Sequence, residues 1–109
     1  MEGRPYTVGQ WRPHPGREED FIAAWLELSE LFKALDAPPG DGVLLRSLED
    51  PRLFYSVGGW RQLADIKAMR AHPEAQAGLA KLASLCSEGG GGVCVAVASA
   101  TSRDRGGAA

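Results

Sequence analysis

Few side chains in this 109-residue chain combine a reactive type with a telling position, and Trp60 is the best placed of them. It ends the alternating run Leu53-Phe54-Tyr55-Ser56-Val57-Gly58-Gly59-Trp60 and directly precedes an amphipathic helical pattern. A large aromatic at a strand-to-helix junction can wall a cavity beneath that helix, or it can be plain core. His14 sits in the turn Pro13-His14-Pro15-Gly16 beside a helix N-terminus. The positive end of that helix disfavours the imidazolium, which suits either a neutral proton acceptor or an ordinary turn residue. Arg46, on a strand, can meet an anionic ligand or form a surface ion pair. Tyr55 falls on the strand face opposite Trp60, which fits an interface better than a pocket. The chain shows no Ser-His-Asp order and no Cys-His nucleophile signature. The glycines from Gly89 to Gly92 lack a following Lys and Ser or Thr and lead into a strand, so they are a linker and not a phosphate cradle.

The elements that must position these residues follow from periodicity. Tyr6 to Arg12 alternates as a strand, with Tyr6, Val8 and Gln10 on one side and Thr7, Gly9 and Trp11 on the other. From Arg17 to about Leu35 the period becomes 3.6, with Phe21, Trp25, Leu28, Phe32 and Leu35 on one stripe. Glu18, Glu19 and Asp20 meet the unpaired N–H groups of its first turn, and Pro38-Pro39-Gly40-Asp41-Gly42 ends the helix. Val43 to Leu48 and Leu53 to Trp60 read as two strands joined by Glu49-Asp50-Pro51-Arg52, a polar turn of hairpin length. A second helical region opens at Arg61 or Gln62 and is broken by His72-Pro73, because proline disfavours helix at the residue before it and is welcome at the first position of the next. The third helix runs to about Cys86. Gly89 to Gly92 are expected to form a flexible turn, Val93 to Ala100 a last strand, and the tail from Thr101 to Ala109 to be disordered.

The order is β-α-β-β-α-α-β: an α+β, ferredoxin-like plan with a four-stranded antiparallel sheet and helices on one face. Its other face carries too many apolar and aromatic residues to leave in water, which predicts a second copy packed sheet to sheet. A chain of this length with 44% hydrophobic residues holds one core, here assigned to residues 1–100. Twelve Lys and Arg stand against fourteen Asp and Glu without a basic stripe, so nucleic acid is not an expected partner. No apolar stretch approaches the roughly 20 residues that span a bilayer, so neither is a membrane, and the cytoplasm is the expected location. Cys86 and Cys94 lack the spacing of a zinc site or a disulfide framework. They are expected to be reduced and mostly buried thiols, with a bridge between them left open.

Several of these features together resemble the antibiotic biosynthesis monooxygenase domain. They are Trp11-Arg12-Pro13-His14-Pro15-Gly16 with Glu19-Asp20-Phe21 after it, the helical Trp25, the hairpin with Arg46-Ser47 and Glu49-Asp50-Pro51, the Trp60 junction, and His72-Pro73 before a Leu-rich helix. The resemblance runs from about Tyr6 to Ala100. It implies a dimeric α+β barrel with a pocket between sheet and helices, holding a flat aromatic, quinol-like or polyketide-like molecule that reacts with oxygen without metal or flavin. Others in the wider family degrade haem. Carried over to this sequence, Trp60 becomes the pocket wall. The position on helix two where many members carry a His is Met69, and His72, three residues on, is placed to cap or end a helix. Monooxygenase members often place an amide on the strand before the Trp. Here Ser56 stands there, and Gln10 is the candidate replacement amide. The candidate substrate-binding residues are therefore Trp60, Ser56, Gln10, Trp25, Met69 and His72, with no cofactor or metal implied. Two functions fit: a cofactor-independent monooxygenase, or a non-catalytic dimeric domain that binds a hydrophobic small molecule or serves a structural role.

Overall fold

The computed structural model describes residues 3–100, and the tail expected to be disordered lies outside them. Four strands and three helices follow in the expected order: β1 (Pro5–Pro13), α1 (Glu18–Lys33), β2 (Gly42–Arg46), β3 (Phe54–Gly59), α2 (Leu63–Ala71), α3 (Pro73–Ser84) and β4 (Cys86–Val95). The sheet is antiparallel with strand order β2-β3-β1-β4, the ferredoxin-like arrangement.

The chain enters α1 through Gly16, whose φ of 84° lies in the left-handed region that glycine adopts at little cost. Arg17 N–H donates to the His14 carbonyl at 2.9 Å, closing the turn. No side chain caps α1, but three carboxylates fill its first turn and offset the missing cap. The break between α2 and α3 is made by His72. Its backbone is extended, it ends one helix, and its Nδ1 accepts the Glu74 N–H at 3.2 Å to cap the next, with Pro73 at the first helical position.

Packing divides the interior in two. Phe21, Ala24 and Leu28 of α1 bury against Phe54 of β3 and against Leu82 and Leu85 at the end of α3, forming one cluster. Trp60, Ile66, Met69 and Ala75 form the other, with Leu31, Phe32, Leu35 and Leu79 beside them. Burying each of the large side chains stabilises the fold by about 1.5–3 kcal/mol. At the far end of the sheet, Arg12 donates to the Asp50 carboxylate, with N and O 2.6 Å apart, and ties β1 to the β2–β3 turn. That hydrogen bond holds the Asp50 carboxyl below its ordinary range.

The last strand departs from expectation. Gly89 to Gly92 are not a flexible turn: they lie inside β4, which pairs with β1 over the length of that strand and ends at Val95. Glycine is disfavoured in strands by its own propensity, and the sequence pattern reflects that. Tertiary pairing overrides it, because the nine residues of β1 offer a ladder that only a backbone able to come close can complete. A Cβ at Gly91 would collide with the Val8 carbonyl oxygen, and one at Gly89 would lie 2.7 Å from the Trp11 indole. The cysteines move with this correction. Both belong to β4, eight residues and therefore about 26 Å apart along a strand, too far for a bridge. Cys94 is exposed, not buried as expected, whereas Cys86 is half-buried and burial pushes its thiol pKa up.

Gly90 and Gly91 are adjacent and differ only in surroundings, since a Cβ at Gly90 meets nothing within 4 Å. Gly91→Ala is expected to cost about 1–3 kcal/mol or more by overpacking. Gly90→Ala is expected to be neutral or slightly stabilising. Urea unfolding of the two variants compares them directly, and equal midpoints would contradict the close approach described.

Candidate active site

The sheet face beneath the helices is set by register. Thr7 and Gly9 of β1 lie opposite Gly58 and Ser56 of β3, and Trp11 lies opposite Phe54. On the other flank the same three residues face Val93, Gly91 and Gly89 of β4, and Gly42 of β2 pairs with Gly58. The centre of this face therefore carries glycine on all four strands. With so little side chain on the floor, the helices do not close onto the sheet, and a cavity of about 450 Å³ remains between the two core clusters. That is a size typical of small-molecule sites.

The cavity is walled by aromatics. Trp25 and Phe32 project from α1, Trp11 stands at one end and Trp60 at the other, and Met69, Leu79 and Leu82 complete the lining from α2 and α3. Trp60 is only 1% exposed and meets the edge of Phe32 with ring centroids 5.6 Å apart. Its Nε1 donates to Thr7 Oγ1 at 3.1 Å. Trp11 makes the matching bond, Nε1 donating to Ser56 Oγ at 3.0 Å. The Trp11 indole lies over Gly9, where a Cβ would stand 2.6 Å from Nε1 and 2.7 Å from Ser56 Oγ. Gly9 thus gives Trp11 the room to reach across to β3. The charged lining residues, Glu30, Lys33, Asp41 and Arg70, are all solvent-exposed and form a rim.

Of the six residues singled out from the sequence, the structure brings four together: Trp60, Ser56, Trp25 and Met69 all line the cavity. Gln10 does not join them. It pairs with Tyr55 and Gly90 on the opposite face of the sheet and is exposed, because β1 alternates and that face belongs to Tyr6, Val8 and Gln10. His72 is also elsewhere, occupied as the cap of α3. Thr7, Trp11 and Phe32 line the cavity without having been singled out. The signal for the first two was present in the i, i+4 spacing that sets both on the face away from Gln10. Arg46 lies over the Phe54 ring at 4.7 Å and 3.9 Å from Glu19, an exposed pairing at the sheet end. His14 is exposed in its turn. Among the described residues no group of three His, Cys, Asp or Glu side chains is placed to hold a metal ion, and no helix is long and apolar enough to cross a membrane.

A ferredoxin-like α+β chain whose helices stand off a glycine-floored sheet encloses an aromatic-walled cavity between its two layers. The chain belongs to the antibiotic biosynthesis monooxygenase family, whose sequence profile matches residues 6–81. Among solved structures it is similar to a mutant form of SnoaB, a cofactor-independent oxygenase from Streptomyces nogalater. The TM-score is 0.81 with 15% identity, over 89% of this chain and 96% of that one. A Bordetella bronchiseptica protein assigned to the antibiotic biosynthesis monooxygenases gives a TM-score of 0.74 at 21% identity, covering 89% of this chain and 100% of its own. A Chloroflexus aurantiacus protein with the same assignment gives 0.70 at 21%, over 90% and 97%. At these identities the likeness is one of fold. No curated protein matches in sequence.

Gly58 offers a way to fill the cavity without disturbing its walls, since a Cβ there meets only Thr7 Oγ1, at 3.5 Å. Gly58→Val is expected to weaken binding of 1,8-dihydroxyanthraquinone, followed by quenching of Trp fluorescence, by about tenfold or more, the scale of a lost 1.4 kcal/mol. The melting temperature should be unchanged or raised, as β-branched residues suit strands. Unaltered affinity would place the ligand somewhere other than this cavity.

Proposed function

We propose that this chain is a cofactor-independent monooxygenase of a flat, oxygen-bearing aromatic molecule of anthrone, quinol or polyketide type, working as a homodimer in the cytoplasm. The observation that carries this reading is the cavity itself: about 450 Å³, aromatic at both ends, with hydroxyl groups on an otherwise bare floor. Membership of the monooxygenase family and the fold shared with SnoaB support it.

The chemistry asks little of the protein. An anthrone carries all the electrons that dioxygen takes up. Its two methylene C–H bonds break, one oxygen atom becomes the new carbonyl, and the other leaves as water, so no external reductant enters. The anthrone ionises through its enol form, one methylene proton passing to water at the rim. The anion is then electron-rich enough to pass an electron to oxygen; the two radicals combine at that carbon, and the peroxide takes a proton back from water, then loses water as the second C–H bond breaks and the carbonyl forms. The protein has to hold the ring flat, favour the ionised form and keep bulk water from the ring. Trp11, Trp25, Phe32 and Trp60 are suited to the first and third of these tasks.

A second reading, a non-catalytic dimeric domain that binds a hydrophobic molecule, is favoured by one observation. The charged groups that line the cavity sit on its rim, and the deeper lining consists of Trp, Phe, Leu, Met, Thr and Ser. Oxygen consumption separates the two. The purified protein with anthrone-like and hydroquinone substrates should take up oxygen faster than the uncatalysed rate. Trp60→Phe should reduce that uptake by about tenfold or more through loss of wall and hydrogen bond. Trp60→Phe is preferred to Trp60→Ala, which would cost about 3–5 kcal/mol as a core truncation. Ligand binding without uptake would establish the binding domain instead.

The dimer rests on the outer sheet face, where Val43, Leu45 and Tyr55 are 46%, 48% and 39% exposed and flank the half-buried Tyr6, Val8 and Val57. A contiguous apolar face of this kind favours a sheet-to-sheet partner. Light scattering at micromolar concentration is expected to give twice the chain mass, and Leu45→Glu to give the monomer. A wild-type monomer would overturn the dimer.

A further inference from the structure

The two indole–hydroxyl bonds have a shared polarity. An indole N–H can only donate, so Thr7 Oγ1 and Ser56 Oγ are obliged to act as acceptors toward Trp60 and Trp11. Each hydroxyl still has its own hydrogen. Among the described residues neither donates it to a protein acceptor, although both side chains line the cavity. The two residues are diagonal neighbours across the β1–β3 ladder, Thr7 opposite Gly58 and Ser56 opposite Gly9. That relation puts their Cβ atoms about 7–8 Å apart or somewhat less. Gly58, opposite Thr7, leaves the floor open there, and Gly9, opposite Ser56, lies under the Trp11 indole; both hydroxyl side chains remain in the cavity lining. The floor therefore presents two fixed donors at a spacing that one fused-ring ligand can bridge.

We propose that Thr7 and Ser56, each oriented by a tryptophan N–H, are paired positioning donors that take two oxygen substituents of one aromatic ligand and favour its ionised form. This deepens the monooxygenase reading and rests on it for the ligand class. A hydroxyl donating to a phenolate makes a charge-assisted hydrogen bond, roughly twice as strong as one to the neutral phenol, and the apolar walls keep water from competing. The preference for the anion has to come from these groups because the charged residues around the cavity cancel in sign: Glu30 and Lys33 on α1 pair with each other at 2.9 Å, Asp41 precedes β2, and Arg70 is on α2. The lining residues of β1, β3, α3 and β4 carry no charge. The tryptophans thus act at one remove, by fixing which way the hydroxyl protons point.

The test uses 1,8-dihydroxyanthraquinone, which does not consume oxygen and changes colour on ionisation, with its 1,8-dimethoxy analogue as a ligand that cannot ionise. Bound to the full chain, the dye is expected to ionise at a pH about one unit below that of the free dye, a tenfold change in its ionisation constant. Thr7→Val and Ser56→Ala should each return the transition toward the free value, Thr7→Ser should keep it low, and Gln10→Ala, on the outer face of the sheet, should leave it in place. Should the hydroxyl variants fail to fold, the wild-type protein still decides. Affinity for the dihydroxy dye should rise with pH through the dye's ionisation while affinity for the dimethoxy analogue stays flat. A bound dye that ionises like the free one, a shift lost in Arg70→Gln but kept in Thr7→Val, or flat affinity for both ligands would overturn the proposal. The readout is independent of turnover: oxygen uptake without a dye shift removes the donor pair and leaves the monooxygenase, and a shift without uptake does the reverse.

Discussion

Protein interiors pack to the density of organic crystals, and a dry void of 450 Å³ would cost on the order of 10 kcal/mol at about 24 cal/mol per Å³. That approaches the whole stability of an ordinary domain. The space between sheet and helices is tenable because it opens to solvent along the rim of Glu30, Lys33, Asp41 and Arg70. Gly42, Gly58 and Gly91 keep the floor bare on three strands, and Gly9 of β1 makes room for the Trp11 indole. The core is consequently two clusters and not one, each anchored by large aromatics.

Such a space persists only if its walls are stiff. Trp60 is fixed by its place in the chain, since its N–H is bonded to the Pro5 carbonyl at 2.9 Å and its carbonyl accepts from Arg4. Its ring is fixed by Phe32 and by Thr7. Trp11 is held by Ser56, by the tilted ring of Phe21 at 5.7 Å and by the close approach of Gly89. Both indole N–H groups would otherwise be left without partners in an apolar setting, a penalty of about 1–3 kcal/mol each. Satisfying them with hydroxyls from the floor ties the walls to the sheet.

Much of this is legible in the sequence and some of it is not, for physical reasons that differ from residue to residue. Phe21, Leu28 and Phe32 announce the buried face of α1 because a 3.6-residue period has one strong outcome, and His72-Pro73 breaks the second helical region by backbone sterics alone. Gly89 to Gly92 read as a turn because glycine's local preference argues against a strand, whereas the ladder with β1 rewards a backbone that can come within reach of Val8 and Trp11. Gln10 has the residue type for a polar group in the cavity, yet its alternation with Thr7 and Trp11 sets it on the outer face. The period-2 rule, and not residue type, decides which side a strand residue takes. Cys94 follows the displaced strand and is exposed.

Neighbours along the chain settle the order and type of the elements, the helix boundaries at Gly16 and His72-Pro73, the two faces of β1, and the place of Trp60 at its junction. Long-range packing supplies whatever depends on residues far apart in the chain. It set Thr7 beneath Trp60 and Ser56 beneath Trp11, 53 and 45 positions away, aligned glycines from four strands under one cavity, and drew β4 over its glycines onto β1. Local periodicity specifies which side of an element a residue takes. Register between strands, which is fixed by the packing of the whole sheet, specifies what that residue meets there.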